Sequence, residues 1–328
     1  MKQARLYAHG APHEVVRLAD APAPGAPAPG RAVVRIMACG INPADLLGFE
    51  GRYPGPEFGA PCGIEGAGIV EAAGEGAGLE PGDHVIVLTR ANWAELIEES
   101  ANALIRIPKA LSWRDAAQLK VNPPTALRML KDYKTLKPGD WVAQNAANSA
   151  VGLHIIRLAK EMGAKTANFV RRADLAGPLL EHGADLVLVG GEDQAARLRA
   201  EIGDAPAPLG IDAIGGAATR WMADCLSDEA TVVNYGYLSG APCEIEPSHL
   251  IVRGQTLTGF WLGRWLGPAP RAAKEALFAE LAEAFISGRL VSPVEAEYTL
   301  DRLAEALRHA AAGGRHGKIL LTPNGALA

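Results

Sequence analysis

Cysteine is scarce and unclustered: the chain has four, Cys39, Cys62, Cys225 and Cys243, none in C-x-x-C spacing, among 328 residues. A disulfide framework is not expected at this size, no clustered zinc site is written in the sequence, and buried free thiols are the expected role. Basic runs are equally short. None exceeds two residues, and 32 Lys and Arg are outnumbered by 37 Asp and Glu, for a net charge of −5. Nucleic acid is therefore not an expected partner. No apolar stretch approaches the length of a membrane span, and no signal-peptide h-region opens the chain. No membrane partner is expected, and the expected location is cytoplasmic.

What is present is a large apolar fraction, 48%, beside 21% charged residues. That suits a globular protein with room for two domains of ordinary size. Residues 4 to 105 read as short strands with turn punctuation. Ala21 to Gly30 is a Pro-rich loop, Arg31 to Ile36 alternates as a half-buried strand should, and Gly63 to Glu75 and Gly82 to Leu88 continue the pattern. These predict a small β-rich, barrel-like domain. Helical spacing runs from Trp113 to Tyr133, interrupted at Asn122-Pro123-Pro124.

From Trp141 to Arg172 the chain reads as strand, tight turn, helix, strand. The helix carries Val151, Ile155, Leu158 and Met162 and ends at Gly163; Thr166 to Val170 is the second strand. Such a βαβ unit places a diphosphate at a helix N-terminus, where free N–H groups favour negative charge. Only Gly152 of the G-x-G-x-x-G fingerprint is in place, behind Asn148, Ser149 and Ala150. An ordinary crossover with a polar turn competes with the nucleotide reading. The second strand ends in Arg171-Arg172, where an NAD site needs a carboxylate. Two guanidiniums suit the 2′-phosphate of NADPH, against the alternative of a solvated basic turn. Further strands are predicted at Gly183 to Val189, Pro208 to Ile214, Thr231 to Tyr235 and Thr256 to Trp261, with a helix at Ala217 to Leu226. The sum is a doubly wound sheet. Helices follow at Pro268 to Ser287 and Leu300 to Ala312, and a last strand at Lys318 to Leu321.

This order resembles the medium-chain dehydrogenase/reductase superfamily over essentially the whole chain. The resemblance implies an α/β fold: a GroES-like barrel domain at 1–115 plus 266–328 and an NADP-binding Rossmann domain at 116–265. The zinc alcohol dehydrogenases of that superfamily place a Cys and a His-Glu where this chain has Asn42 and Ile64-Glu65. Ile cannot bind a metal, so no zinc is expected and Glu65 is read as structural. Three motifs resemble the mitochondrial-type NADPH-dependent 2-enoyl thioester reductases: Gln144 to Gly152, Val121 to Ala126, and Gly259-Phe260-Trp261-Leu262 with Trp265. The last competes with plain core packing.

By that resemblance Tyr53 falls on the catalytic tyrosine, where a hydroxyl donates a proton or bonds a developing oxyanion. A loop aromatic packed beside Pro54 is the alternative. Asn42 joins it as a catalytic residue. The cofactor residues implied are Asn122, Thr125, Asn148, Ser149, Ala150, Val151, Gly152, Arg171, Arg172, Tyr235, Gly236, Tyr237, Leu238, Phe260, Trp261, Leu262 and Lys318. For Lys318 a surface lysine is the simpler explanation. The function implied is NADPH-dependent reduction of the C=C bond of an unsaturated acyl thioester, by a homodimer joined through the Rossmann domain. A zinc-free quinone or enone reductase is the second reading, and a non-catalytic NADPH-binding protein the third.

Overall fold

The protein is described by a computed structural model at residues 1–190 and 193–327. Its strands, in chain order, are β1 (Lys2–Leu6), β2 (Val16–Asp20), β3 (Arg31–Gly40), β4 (Ala67–Ala73), β5 (His84–Val87), β6 (Leu96–Ser100), β7 (Leu104–Arg106), β8 (Trp141–Asn145), β9 (Lys165–Val170), β10 (Leu186–Val189), β11 (Leu209–Asp212), β12 (Thr231–Asn234), β13 (Thr256–Gly259), β14 (Val294–Thr299) and β15 (Lys318–Thr322). The chain divides into two compact units, Met1–Val121 with Pro268–Ala328, and Asn122–Gly267.

The first unit is built on β3. Four strands run β3-β4-β5-β7, antiparallel throughout. The other side of β3 is shared: β6 pairs with its first half and β15 with its last two residues. The alternation expected at Arg31 to Ile36 is broken, since Ala32, Val33 and Val34 are buried in succession across an irregularity at Val33/Val34, and burial is again continuous at Ala38, Cys39 and Gly40. There the strand is covered on both faces, which an apolar run permits. β14 extends the sheet by pairing in parallel with β15, and helix Leu303–Ala311 packs Leu303, Ala306, Leu307 and Ala310 into the core between them. Helix Arg271–Ile286 is tied to the same unit by Arg271, which donates to the carbonyls of Ala101 and Leu104.

The second unit is a six-stranded parallel sheet in the order β10-β9-β8-β11-β12-β13. Counted from β8 this is 3-2-1-4-5-6, the doubly wound arrangement, and its switch point lies between β8 and β11.

Several local expectations are corrected. Asn122-Pro123-Pro124 does not interrupt a helix but begins one, Asn122–Asp132. Proline is accommodated in a first turn, where its missing N–H would have no helical partner. The strand expected from Gly183 begins at Leu186, because Gly183 adopts φ 112° and stops helix Ala176–His182. The strand expected to reach Trp261 ends at Gly259, and a separate short helix, Leu262–Leu266, precedes Arg271–Ile286. Of the four thiols, Cys39, Cys62 and Cys225 are buried, but Cys243 is exposed.

Candidate active site

In the first unit the end of β3 delivers Asn42 to the start of helix Pro43–Phe49. Its backbone N–H donates to Asp45 Oδ2 at 2.9 Å, and Asp45 Oδ1 accepts from the Ile64 N–H at 3.0 Å. One carboxylate therefore staples two segments. Glu65 is fully buried. Its Oε1 accepts from Asn42 Nδ2 at 2.7 Å and its Oε2 from the Val121 N–H at 3.1 Å. Gly40 makes room for it: a Cβ there would stand 2.5 Å from Glu65 Oε1.

Lys318 opens β15 and is corrected from a surface lysine to a buried one, 7% exposed. Its Nζ donates to the Ile41 carbonyl at 3.0 Å and to Asn42 Oδ1, and lies 3.8 Å from Glu65 Oε1. Lys120, also buried, donates to the carbonyls of Ile64 and of Thr89, the latter at 2.8 Å. Two carboxylates and two ammoniums thus share one apolar interior. Burial pushes Asp45 up to about 6 and Lys120 down to about 7. Burial also raises Glu65 and lowers Lys318, while each partner's charge pulls the other back. An amide held between Lys318 and Glu65, beside the aliphatic Ile64, is not a zinc donor set.

Tyr53 lies on the loop after that helix, half-buried. Among the described residues its hydroxyl makes no hydrogen bond. Burial raises its pKa, and the nearby Arg90 guanidinium acts in the opposite sense. Arg90 reaches the Pro54 carbonyl at 3.4 Å. A small cavity of about 80 Å³ is lined by Asp45, Phe49, Gly55, Pro56, Ile64 and Arg90.

In the second unit the switch point is a polar knot that sequence reading missed. Asn145 at the end of β8 donates to Asp212 Oδ1 at 2.6 Å and accepts from the Ala213 N–H at 2.8 Å. Asp212, fully buried at the end of β11, also accepts from Thr219 Oγ1 at 2.7 Å and Asn234 Nδ2 at 3.1 Å. The signal available was a polar residue closing each of three apolar strands.

The turn after β8 passes through Ala146, at φ 47°, to Ser149, the N-cap of helix Ala150–Glu161. Asn148 is exposed, Ala150 half-buried and Val151 buried. Ser149 Oγ accepts from the Gly152 N–H at 3.2 Å, and a Cβ on Gly152 would meet the Ala147 carbonyl oxygen at 2.4 Å. One glycine suffices because only this helix start must approach the turn so closely; the αL position is met by alanine. Gln144 donates to the Gly152 carbonyl at 3.0 Å from below.

Arg171 and Arg172 follow β9 at the same sheet edge. Arg172 Nε is 3.2 Å from Asp174 Oδ1, whereas Arg171 is exposed and has no ion pair among the described residues. The stretch between Arg172 and Gly183 holds a 3-10 turn at Ala173–Leu175 and helix Ala176–His182. Burial raises the Tyr235 pKa, and the nearby Ser149 hydroxyl acts in the opposite sense. Gly236 lets β12's exit pass the Ala213 carbonyl, which a Cβ would approach to 2.3 Å. Tyr237 donates to the Gly240 carbonyl at 2.7 Å, and Leu238 is exposed. Asn122 and Thr125 are buried in the first turn of their helix.

The aromatic run is not plain core. Leu262 is buried, but Trp261 is 48% exposed and Phe260 half-buried edge-on to Tyr133. Trp265 is held beneath the Arg128 guanidinium, 4.9 Å from its ring centroid.

Comparison with known proteins fits both units. Residues 28–107 match the alcohol dehydrogenase GroES-like domain, and residues 150–283 match the zinc-binding dehydrogenase domain. The chain is 36% identical over 306 residues to the mitochondrial enoyl-[acyl-carrier-protein] reductase of Caenorhabditis elegans, covering 90% of this chain and 88% of that protein. Among solved structures, Escherichia coli quinone oxidoreductase complexed with NADPH is 26% identical with a TM-score of 0.90, covering 98% of this chain and all of that one. The mitochondrial 2-enoyl thioester reductase heterodimer Etr1p/Etr2p from Candida tropicalis is 25% identical with a TM-score of 0.87, covering 98% and 99%.

These relatives overturn the cytoplasmic expectation, because the curated ones are named mitochondrial. The lack of an h-region speaks only to secretion and cannot separate the two compartments. The shared sequence, the two domain matches and the 3-2-1-4-5-6 sheet converge: the chain belongs to the medium-chain dehydrogenase/reductase superfamily, alongside the mitochondrial enoyl-[acyl-carrier-protein] reductases.

Proposed function

We propose that the chain is an NADPH-dependent reductase of the C=C bond of 2-enoyl thioesters. The observation that carries the reading is the identity with mitochondrial enoyl-[acyl-carrier-protein] reductase across nine-tenths of the chain. A solved Etr1p complex with NADP and crotonyl-CoA, 25% identical over 98% of this chain, supports the substrate class and cofactor.

The residues present fit NADPH. Ser149 and the N–H groups of the helix start would hold the diphosphate, and Arg171 with Arg172 the 2′-phosphate. Asn122, Thr125, Asn148, Ala150, Val151, Gly152, Tyr235, Gly236, Tyr237, Leu238, Phe260, Trp261 and Leu262 complete the set proposed for the cofactor. Lys318 leaves it, because its amine is turned inward onto Ile41 and Asn42. When bound, NADPH supplies a hydride to Cβ.

Negative charge then develops at the thioester oxygen and Cα. Tyr53 meets it: with its pKa raised by burial, the phenol keeps its proton at neutral pH and can donate it to Cα. Arg90 braces the loop through the Pro54 carbonyl. Asn42 offers an amide held in one orientation.

A quinone or enone as acceptor is the second reading, favoured by the likeness to the E. coli quinone oxidoreductase. A homodimer is proposed through the edge strand β13 of the second unit, beside which Ile251 and Val252 are 81% and 80% exposed. NADPH consumption measured in parallel with crotonyl-CoA, a quinone and no substrate separates the readings. Turnover is expected with crotonyl-CoA; turnover with the quinone alone would replace the thioester reading.

A further inference from the structure

We propose that Lys318 and Glu65 are positioning residues for this reaction, clamping the Asn42 amide between a cation and an anion, so that Lys318 acts through Asn42. The inference rests on the reductase reading and deepens it. It starts from the two ends of one amide. Asn42 Oδ1 accepts from the Lys318 ammonium, and Asn42 Nδ2 donates to Glu65 Oε1 at 2.7 Å. A flipped amide would aim its NH₂ at the ammonium and its oxygen at the carboxylate, so only one orientation is allowed. Hydrogen bonds to ionised groups are roughly twice as strong as neutral ones, and here both ends of the amide have such a partner.

The clamp is itself fixed. Glu65 is held by the Val121 N–H, and Gly40 leaves the space it fills. Lys318 is held by the Ile41 carbonyl, one residue before Asn42. Nδ2 carries two hydrogens; with one directed at Glu65, the direction of the second is set as well. Stability alone does not call for ions in this interior, because apolar residues commonly match or better a buried pair.

The test compares Lys318→Met, Glu65→Gln, the double variant of both, Asn42→Ala, and Lys318→Met in the Asn42→Ala background. Three quantities are read: kcat with crotonyl-CoA, the Kd of NADPH by fluorescence titration, and Tm. Lys318→Met is expected to lower kcat about tenfold or more while the NADPH Kd stays within about twofold. The charge-neutral double variant is expected to regain Tm without regaining kcat. In the Asn42→Ala background, Lys318→Met should add less than about twofold, since both changes remove one device.

Recovery of kcat together with Tm in the neutral double variant would make the pair a structural one and overturn the proposal. So would a tenfold weaker NADPH Kd with kcat unchanged, or losses that multiply in the Asn42→Ala background. A wild-type enzyme that reduces neither crotonyl-CoA nor a quinone would sink the reductase reading before any variant is made, and the clamp with it.

Discussion

The Tyr235 hydroxyl, one residue past β12, lies near the hydroxyl of Ser149, the N-cap of the helix that follows β8. The exits of two strands that are not neighbours in the sheet thereby meet at the turn proposed to bind a diphosphate. Tyr235→Phe removes that hydroxyl and keeps the ring. NADPH affinity is expected to fall about three- to tenfold, in line with a net hydrogen bond of roughly 0.5–1.5 kcal/mol. Titration of the variant with NADPH checks this; unchanged affinity would reduce Tyr235 to packing.

Arg171 and Arg172 are expected to act unequally. Arg172 already shares its charge with Asp174, whereas Arg171 has no ion pair among the described residues. Replacing both with Ala should weaken NADPH binding by a few kcal/mol, as charge-assisted hydrogen bonds contribute about 1.5–3 kcal/mol each. Arg171→Ala alone should carry the larger share, and NADH binding should barely change. Equal losses for the two cofactors would remove the 2′-phosphate from the argument.

Tyr53→Phe separates acid from packing. Loss of a proton donor in the transition state should lower kcat on the order of 10²–10⁴-fold with KM nearly unchanged. Solvent water can replace part of the donor, so the lower end is expected. A kcat within about threefold of wild type, roughly 0.7 kcal/mol in the barrier, would rule the hydroxyl out.

Lys120 predicts a pH signature in stability. Its pKa falls from 10.5 unfolded to about 7 folded because burial disfavours the ammonium. Between those values the unfolded chain binds a proton that the native protein has released. Stability therefore rises with pH through this window, with a contribution approaching about 1.4 kcal/mol per pH unit, and the burial cost is fully present below 7. Urea unfolding from pH 7 to 9 should show the rise, and Lys120→Met should flatten it. An equal slope in the variant would place the titration elsewhere.

The doubly wound sheet and the βαβ turn were legible because each depends on local pattern: period, turn residues and what closes a strand. The charge cluster was not. Glu65 and Lys120 each look like one polar residue in an apolar stretch, and Lys318 like a lysine in a final strand. Their meaning comes from three long-range pairings: β3 with β15, the Ile64 segment with Asp45, and Val121 with Glu65. Helix Asn122–Asp132 was misread for a nearer reason. A proline pair both ends and begins helices, and only the hydrogen bonds around it distinguish the two.

Lys318 and Asn42 are 276 positions apart in the chain. Until β15 is synthesised and paired, Glu65 has no ammonium from that strand, and β3 lacks a neighbour along its last two residues. The first unit is thus assembled from both ends of the chain, with the whole of the second unit made in between. Contacts of such separation form slowly, because a long loop must close before they stabilise anything. During refolding the second unit should acquire protected amides first, while those of Ile41 and Asn42 remain open to exchange until the final strand docks.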